Sequence, residues 1–478
     1  MLATRLTRHP QVGQRAALFP GMTKAIRNTA LSVARAMLAG EPSEAGLAAR
    51  IRTCLASPAP WCGGLVRRCA GMPRERWHRL TVRTLANLVE RDDGFEQAWH
   101  GGDPPFVRHY LLNGPRHMNP APLGLEGHAV PDWPHSGALA QWLGLSTGGL
   151  WRLTRCSAWQ RRSPLAEQHY SFQLLAKRSG GWRLLEVPHP YLMALQRRLL
   201  DDLIDRVPPH EAAQGYTRER SVLDHARAHC GQAVVLKFDL QDFFSSVLAS
   251  RVHALFATLG YPDQVARELT ALCTVATPEP VLRRLHQHGG LSWPQVQRLR
   301  QAHLPQGAPT SAALANLCAF RLDLRLAGLA RTLGARYTRY ADDIVLSGDR
   351  HLGQARPRIE AWLARICMEE GFDLNLRKSR QQGNGRRQTV CNIVVNQRPN
   401  LPRDEFDRFK AILHRCVQHG PASQNRDGIE RWREHLQGRL AWATQLNPGK
   451  AQRLRRLFDQ IDWGDRGPAQ TSSHSLRM

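Results

Sequence analysis

The stretch RYTRYADDIVLSGD, Arg336–Asp349, sets two carboxylates, Asp342 and Asp343, side by side at the head of an apolar, β-branched run. Adjacent carboxylates repel each other and lose hydration when buried, so the placement lowers stability unless a cation compensates. A second stretch, QAVVLKFDLQDFFSSV, predicts a buried strand over Val234–Phe238 that delivers Asp239 at its end, followed by the aromatic pair Phe243 and Phe244. If a strand Ile344–Ser347 lies beside Val234–Phe238, three carboxylates meet in one small site. Mg²⁺, a hard cation that takes oxygen ligands, relieves their repulsion, and two such ions suit in-line phosphoryl transfer. Read alone, an acidic pair at a strand edge is more often a turn or a solvated patch, so order and company matter.

Between the two acidic stretches lies LPQGAPTSAALANLCAF, Leu304–Phe320. Gly307 lets the backbone approach a ligand closely, and Pro309 and Thr310 start a helix with small residues on one face. Such a face suits a flat group such as a base pair, or simply a tightly packed neighbour.

Composition narrows the partner. The 478 residues include 66 Lys and Arg against 40 Asp and Glu, a formal charge of +26, which points to a polyanion such as nucleic acid. Part of the arginine excess over lysine reflects codon usage. No apolar run approaches the ~18 residues of a membrane span, so no membrane partner is expected. The ten cysteines are scattered without a CxxC pair, which reads as reduced thiols in a cytoplasmic protein. The first forty residues carry no Asp or Glu and read either as a basic helix facing nucleic acid or as a transit peptide.

Texture divides the chain. Residues 1–134 read as a basic, mainly helical extension of unknown role that loosens into a linker, NGPRHMNPAPLGLEGHAVPDWPHSG. SGALAQWLGLSTGGLWRLT then predicts a capped helix, a turn and a second helix, with Leu and Trp on the inner faces. Short strands and helices alternate from Tyr170 onward, and two Arg-bearing amphipathic segments close the chain before a tail, 464–478, expected to be disordered.

In this order, FDLQDFF, LPQGAPTS and YADD resemble motifs A, B and C of reverse transcriptases. GGWRLLEVPHPYLMALQRRLL, QGYTRERSV, LNLRKSR and VVNQRPNLPR narrow the resemblance to the bacterial retron type. The resemblance implies an α+β right-hand polymerase with fingers at 135–235, palm at 236–400 and a helical thumb at 401–463. It implies an RNA-directed DNA polymerase that copies a structured non-coding RNA by two-metal phosphoryl transfer, in antiphage defence. Asp239, Asp342 and Asp343 are then the catalytic and metal-binding carboxylates, with the Leu240 carbonyl as a further ligand to Mg²⁺, for which Mn²⁺ can substitute. Lys378 becomes the proton donor to pyrophosphate, Phe244 the gate against the sugar 2′-hydroxyl, Gln306 and Gly307 the contacts to template and incoming base, and Lys177 and Arg183 the triphosphate grip. The implied partners are an RNA template and primer, the RNA–DNA hybrid, deoxynucleotides and an effector protein.

Two segments depart from the retron pattern. HARAH puts His225 where the family has Asn, and VCN puts Cys391 and Asn392 where it has Thr and Gly; both departures bear on recognition of a dedicated RNA. His225 and His229 also have the i, i+4 spacing of a zinc pair, but no third ligand is apparent and zinc is not expected. Two other readings stay open at this level: an abortive-infection or intron-derived reverse transcriptase, and an RNA-binding scaffold with the same fold but no catalysis.

Overall fold

VVLKFDLQ is apolar toward both faces, and in the computed structural model it forms the central strand β3, Val234–Gln241, buried almost throughout. The structure describes residues 20–55, 59–73, 76–77, 80–101, 104–109, 130–155, 161–176, 182–287 and 292–463. Lys177, most of the linker, the first nineteen residues and the 464–478 tail lie outside the described residues.

The described chain falls into two compact units. The larger is built around β3 and takes its residues from Leu125–Val130, Arg155–Leu255 and Ala271–Met478. A hairpin, β1 (Tyr170–Ala176) and β2 (Trp182–Pro188), runs in antiparallel register from Tyr170↔Pro188 to Ala176↔Trp182. Phe172, Leu174, Trp182 and Leu184 of this hairpin pack on Val281, Leu282, Leu285 and Leu299. One edge of β3 pairs antiparallel with β5 (Asp343–Gly348), which pairs in turn with β4 (Arg336–Tyr340). Along the other edge, β6 (Asp373–Leu374) and β7 (Arg380–Gly383) follow one another. Val235 and Val345 of the sheet share a core with Leu223, Ala226, Val390 and Ile393.

A two-residue loop, Cys391 at φ +44° and Asn392 at φ +64°, joins β8 (Thr389–Val390) to β9 (Ile393–Val394). Positive φ at both positions is what a tight hairpin with strand-matched twist requires. The three helices Arg403–His419, Trp432–Leu446 and Pro448–Asp459 then close around Phe409, Leu413, Leu436, Leu440 and Leu454. Asn447 caps the last of them by accepting from the Lys450 N–H at 3.1 Å, with Pro448 at its first position.

The smaller unit is helical and gathers Met1–Gly124, Pro131–Thr154 and Phe256–Thr270. The helices Pro20–Leu38 and Val82–Glu90 pack together, sharing a core with Leu47, Ile51, Leu65, Phe95 and Trp99. Asp92 caps the helix Asp93–His100 through the Phe95 N–H at 3.0 Å while its carboxylate is paired with Arg68. The expected helix, turn and helix appear as Ser136–Leu143 and Thr147–Leu153, separated by Gly144 at φ +72°. Leu139, Leu143, Leu150 and Leu153 face inward as expected, but Trp151 is 64 % exposed. Leu150 and Leu153, one helical turn apart, set the buried face, and Trp151, about 100° further round from Leu150, projects to solvent.

Candidate active site

The register of the central sheet brings the acidic residues together. Asp239 lies directly opposite Asp343, and Asp343 directly opposite Tyr340, so Ala341 and Asp342 form the two-residue loop between β4 and β5. Facing residues of an antiparallel pair have Cα atoms about 4.5–5.5 Å apart and project to the same side. Ala341 takes φ +55°, a conformation that favours glycine, yet it is buried. A hydrogen bond across the strands holds the next residue: the Leu240 N–H donates to the Asp342 carbonyl at 2.8 Å. On the far side, the Asn375 N–H donates to the Asp239 carbonyl at 2.8 Å.

The electrostatics express the crowding. Burial, and then the Asp239 and Asp343 carboxylates, push Asp342 up to about 6 from an ordinary 3.8. Asp343 is also raised, by burial first, with Lys237 pulling the other way and Asp239 adding to the rise. The Lys378 ammonium stands 2.8 Å from Asp239 Oδ1. Partial burial works to lower the Lys378 pKa, but the hydrogen bond to Asp239 and the charges of all three aspartates outweigh it, so the ammonium is held above its usual range.

Among the described residues, no three His, Cys, Asp or Glu side chains converge closely enough to grip an ion as they are placed. The donor set nonetheless suits a hard divalent cation, being all carboxylate oxygen and under repulsive strain on adjoining strands. Asp239, Asp342 and Asp343 are the residues that would hold such a cation, which would add to Lys378 as counter-charge for Asp239.

The other expected residues separate by position. Phe243 is core: it is buried, with its ring 5.6 Å from Phe372 in a stacked contact. Phe244 is half-buried beside it, at 5.7 Å between ring centres, and belongs to the short helix Phe243–Ser246 that follows the Asp239 strand. The Gln306 carbonyl accepts from the Glu186 N–H of β2 at 2.9 Å. Gly307 lies at φ +134° against the same strand, where an added Cβ would stand 3.2 Å from the Glu186 carbonyl oxygen and 3.2 Å from Val187 Cγ2. Arg183 is exposed on β2. Lys177 is outside the described residues.

The i, i+4 pair His225 and His229 is engaged in hydrogen bonds to β4 and β5. His229 Nδ1 lies 2.6 Å from Ser347 Oγ and its Nε2 lies 2.7 Å from Thr338 Oγ1, while Thr338 Oγ1 also meets His225 Nδ1 at 2.6 Å. Burial pushes both imidazoles down to about 3, so they are neutral hydrogen-bonding pins between the helix Val222–Arg227 with its following turn and strands β4 and β5. Both ring nitrogens of His229 are engaged with hydroxyls, which leaves neither for a metal.

Two buried polar groups went unnoticed in the sequence. Glu186 accepts from Thr277 Oγ1 at 2.7 Å and meets His303 Nε2 at 2.9 Å, tying β2 to the segment that leads into Gln306. Arg339 and Asp323 are both fully buried and paired. Neither has a signal in the sequence that a solvated charge on a strand or helix would not give equally.

Comparison with known proteins shows the family. The family model described as reverse transcriptase (RNA-dependent DNA polymerase) matches residues 175–389. The chain is 40 % identical over 342 residues to the retron Mx65 reverse transcriptase of Myxococcus xanthus, spanning 71 % of this chain and 75 % of that one. It is 35 % identical to the retron Mx162 reverse transcriptase of the same organism, over 68 % of this chain and 66 % of that one. It is also 29 % identical to the retron Ec86 reverse transcriptase of Escherichia coli, over 62 % and 82 % respectively. With this α+β fold and these relatives, the chain belongs to the retron reverse transcriptases, a family of RNA-directed DNA polymerases that work with divalent metal ions on RNA templates.

Proposed function

We propose that this enzyme extends a primer hydroxyl with deoxynucleotides along a structured non-coding RNA, with Asp239, Asp342 and Asp343 as its catalytic carboxylates. The observation that carries the reading is the facing pair Asp239 and Asp343, with Asp342 on the adjoining β4–β5 loop driven up to about 6 by burial and by the other two. Asp239, Asp342, Asp343 and the Leu240 carbonyl are the ligand set for two Mg²⁺, with Mn²⁺ as a substitute. A divalent ion held by these residues would supply Lewis-acid activation of the attacking hydroxyl and charge neutralisation at the leaving pyrophosphate.

The chain's own residues orient and select. Phe244 excludes a ribose 2′-hydroxyl from the nucleotide site. Gln306 and Gly307, held against β2, align template and incoming base. Arg183, exposed on β2, grips the triphosphate together with Lys177, whose role rests on the sequence resemblance alone. Lys378, whose ammonium is retained by the surrounding carboxylates, hands a proton to pyrophosphate as it leaves. In this reading the β1–β2 region serves as fingers (135–235), the central sheet as palm (236–400) and the three C-terminal helices as thumb (401–463). The net charge of +26 supports the thumb and the turn RKSRQQGNGRRQ as phosphate contacts on the RNA–DNA hybrid. The cognate RNA supplies both template and an internal 2′-hydroxyl primer, and the DNA product acts with an effector protein in cytoplasmic antiphage defence. Among the described residues no helix is long and apolar enough to cross a membrane.

Primer extension on poly(rA)/oligo(dT) by the purified protein tests the chemistry. Synthesis that disappears in Asp342→Asn is expected. A wild-type protein inactive across both Mg²⁺ and Mn²⁺ overturns the proposal.

A further inference from the structure

We infer that Arg339 is a positioning residue that locks the aspartate loop, the helix following the PQG turn and the aromatic pair into one geometry; this rests on the reading of Asp342 and Asp343 as catalytic. Arg339 precedes Tyr340 on β4 and is fully buried, as is its partner Asp323 on the helix Phe320–Thr332. Its guanidinium makes four hydrogen bonds, to three different elements. Nε and Nη2 donate to the two Asp323 oxygens at 2.8 and 2.6 Å. Nη1 donates both to Asn316 Oδ1 at 3.0 Å and to the Ala341 carbonyl at 2.9 Å. Its flat face covers the Phe243 ring at 5.2 Å.

Each contact reaches a part of the proposed site. The Ala341 carbonyl belongs to the strained residue immediately before Asp342, and a buried carbonyl in a positive-φ turn relies on such a donor. Asn316 lies on the helix Ser311–Cys318, the continuation of Gln306 and Gly307, and its amide donates in turn to the Gly215 carbonyl at 2.7 Å. Gly215 closes the arrangement, since a Cβ there would stand 2.9 Å from the Ala341 nitrogen. Phe243 adjoins the proposed sugar gate Phe244. The Arg339 backbone is held as well: its N–H donates to the Ala212 carbonyl at 2.8 Å and its carbonyl accepts from Gln214 at 2.8 Å.

A planar fork is the one side chain that fits this set of acceptors. Lysine can pair with Asp323 but cannot also hold Asn316, the Ala341 carbonyl and the Phe243 face. A pair kept for stability alone is replaceable: buried ion pairs exchanged for apolar or neutral groups of similar volume are often tolerated. A pair that aims the aspartate loop is not replaceable in that way, because the Ala341 carbonyl loses its donor even when the core is restored.

The experiment measures kcat and KM for dTTP on poly(rA)/oligo(dT), with thermal unfolding, for wild type, Arg339→Lys, Arg339→Met/Asp323→Asn and Asp342→Asn. The Tyr337 hydroxyl donates to Asp323 Oδ1 at 2.6 Å; in the double variant the amide oxygen introduced there still accepts that bond, and Met fills the arginine stem. The double variant is expected to stay folded while kcat falls about 100-fold, the loss expected from roughly 1 Å of misplacement, with KM for dTTP within about threefold of wild type. Discrimination against UTP is expected to fall as well. Arg339→Lys, which keeps the charge on Asp323, is expected to recover part of the lost kcat. A folded double variant with wild-type kcat overturns the inference. If the double variant does not fold, Arg339→Lys decides: a folded protein with kcat lowered at least tenfold at unchanged KM supports the inference, and a wild-type kcat overturns it. Activity persisting in Asp342→Asn refutes the catalytic reading instead, whatever Arg339 does.

Discussion

Removing the central carboxylate should make the metal-free enzyme more stable while destroying its activity. Asp342 sits at about 6 in the folded protein against 3.8 when free, first because it is buried and then because Asp239 and Asp343 face it. At about 1.36 kcal/mol per unit, the ionised carboxylate costs the metal-free fold about 3 kcal/mol. Because the folded value lies above the unfolded one, the native state binds the extra proton between pH about 4 and about 6. The penalty is therefore absent below that window and complete above it. Asn keeps the shape and removes the charge but still leaves a buried polar group, so Asp342→Asn should gain about 1–3 kcal/mol at pH 8 and almost nothing at pH 4.

Thermal unfolding in EDTA at several pH values measures this. A unit of about 300 residues unfolds with an entropy near 0.6 kcal/mol/K, at about 2.1 cal/mol/K per residue, so the gain corresponds to about 2–5 °C in the transition of the larger unit. Other carboxylates titrate over the same range, so the quantity to follow is the difference between variant and wild type. Adding Mg²⁺ should raise the wild-type transition by mass action and the variant's by less. Identical transitions for the two proteins at pH 8 in EDTA would refute the reasoning, since an unstrained carboxylate has no need of a cation.

Two further substitutions probe the nucleotide site. Phe244→Ala should admit ribonucleotides, measured as a lower ratio of dTTP to UTP efficiency with dTTP incorporation retained; unchanged discrimination would reduce Phe244 to packing. Gly307→Ala places a Cβ at 3.2 Å from both the Glu186 carbonyl and Val187, in a backbone at φ +134°. About 1–3 kcal/mol of strain is expected there, read as a lower unfolding temperature together with a raised KM for the nucleotide.

The parts of the site that were legible in the sequence share one property: they violate local expectation within a few residues. Asp342 and Asp343 break an apolar strand, Gly307 breaks the approach to a helix, and FDLQDFF ends a buried run on an acid. The parts that were not legible obey local expectation and acquire meaning only over distance. Asp323 lies in RLDLRLAGL, where a lone acid among arginines looks like a solvated helix face, yet it is fully buried against an arginine sixteen residues away. The i, i+4 spacing of His225 and His229 is visible in sequence, whereas their partners Thr338 and Ser347, more than a hundred residues on, are not. The fold follows the same division. Strands β3 and β5 were readable from their apolar runs, but nothing in composition marks Phe256–Thr270 as joining the N-terminal helices.

This asymmetry has a physical origin that links the two halves of the site. The aspartates carry an electrostatic cost that Lys378 relieves only in part, so they stand out against any background of well-satisfied residues. Arg339 carries a desolvation cost of the same kind, but the chain relieves it internally, through Asp323, Asn316 and the Ala341 carbonyl. A charge satisfied within the fold can hold a rigid geometry before any substrate arrives, whereas a charge left in repulsion can bind. The Ala341–Asp342 peptide is where the two meet: the satisfied arginine fixes the carbonyl on one side of the bond, and the strained carboxylate projects from the other. Catalysis that depends on placing a metal to within about an ångström needs both, an unsatisfied group to attract the ion and a satisfied one, one peptide away, to keep it from moving.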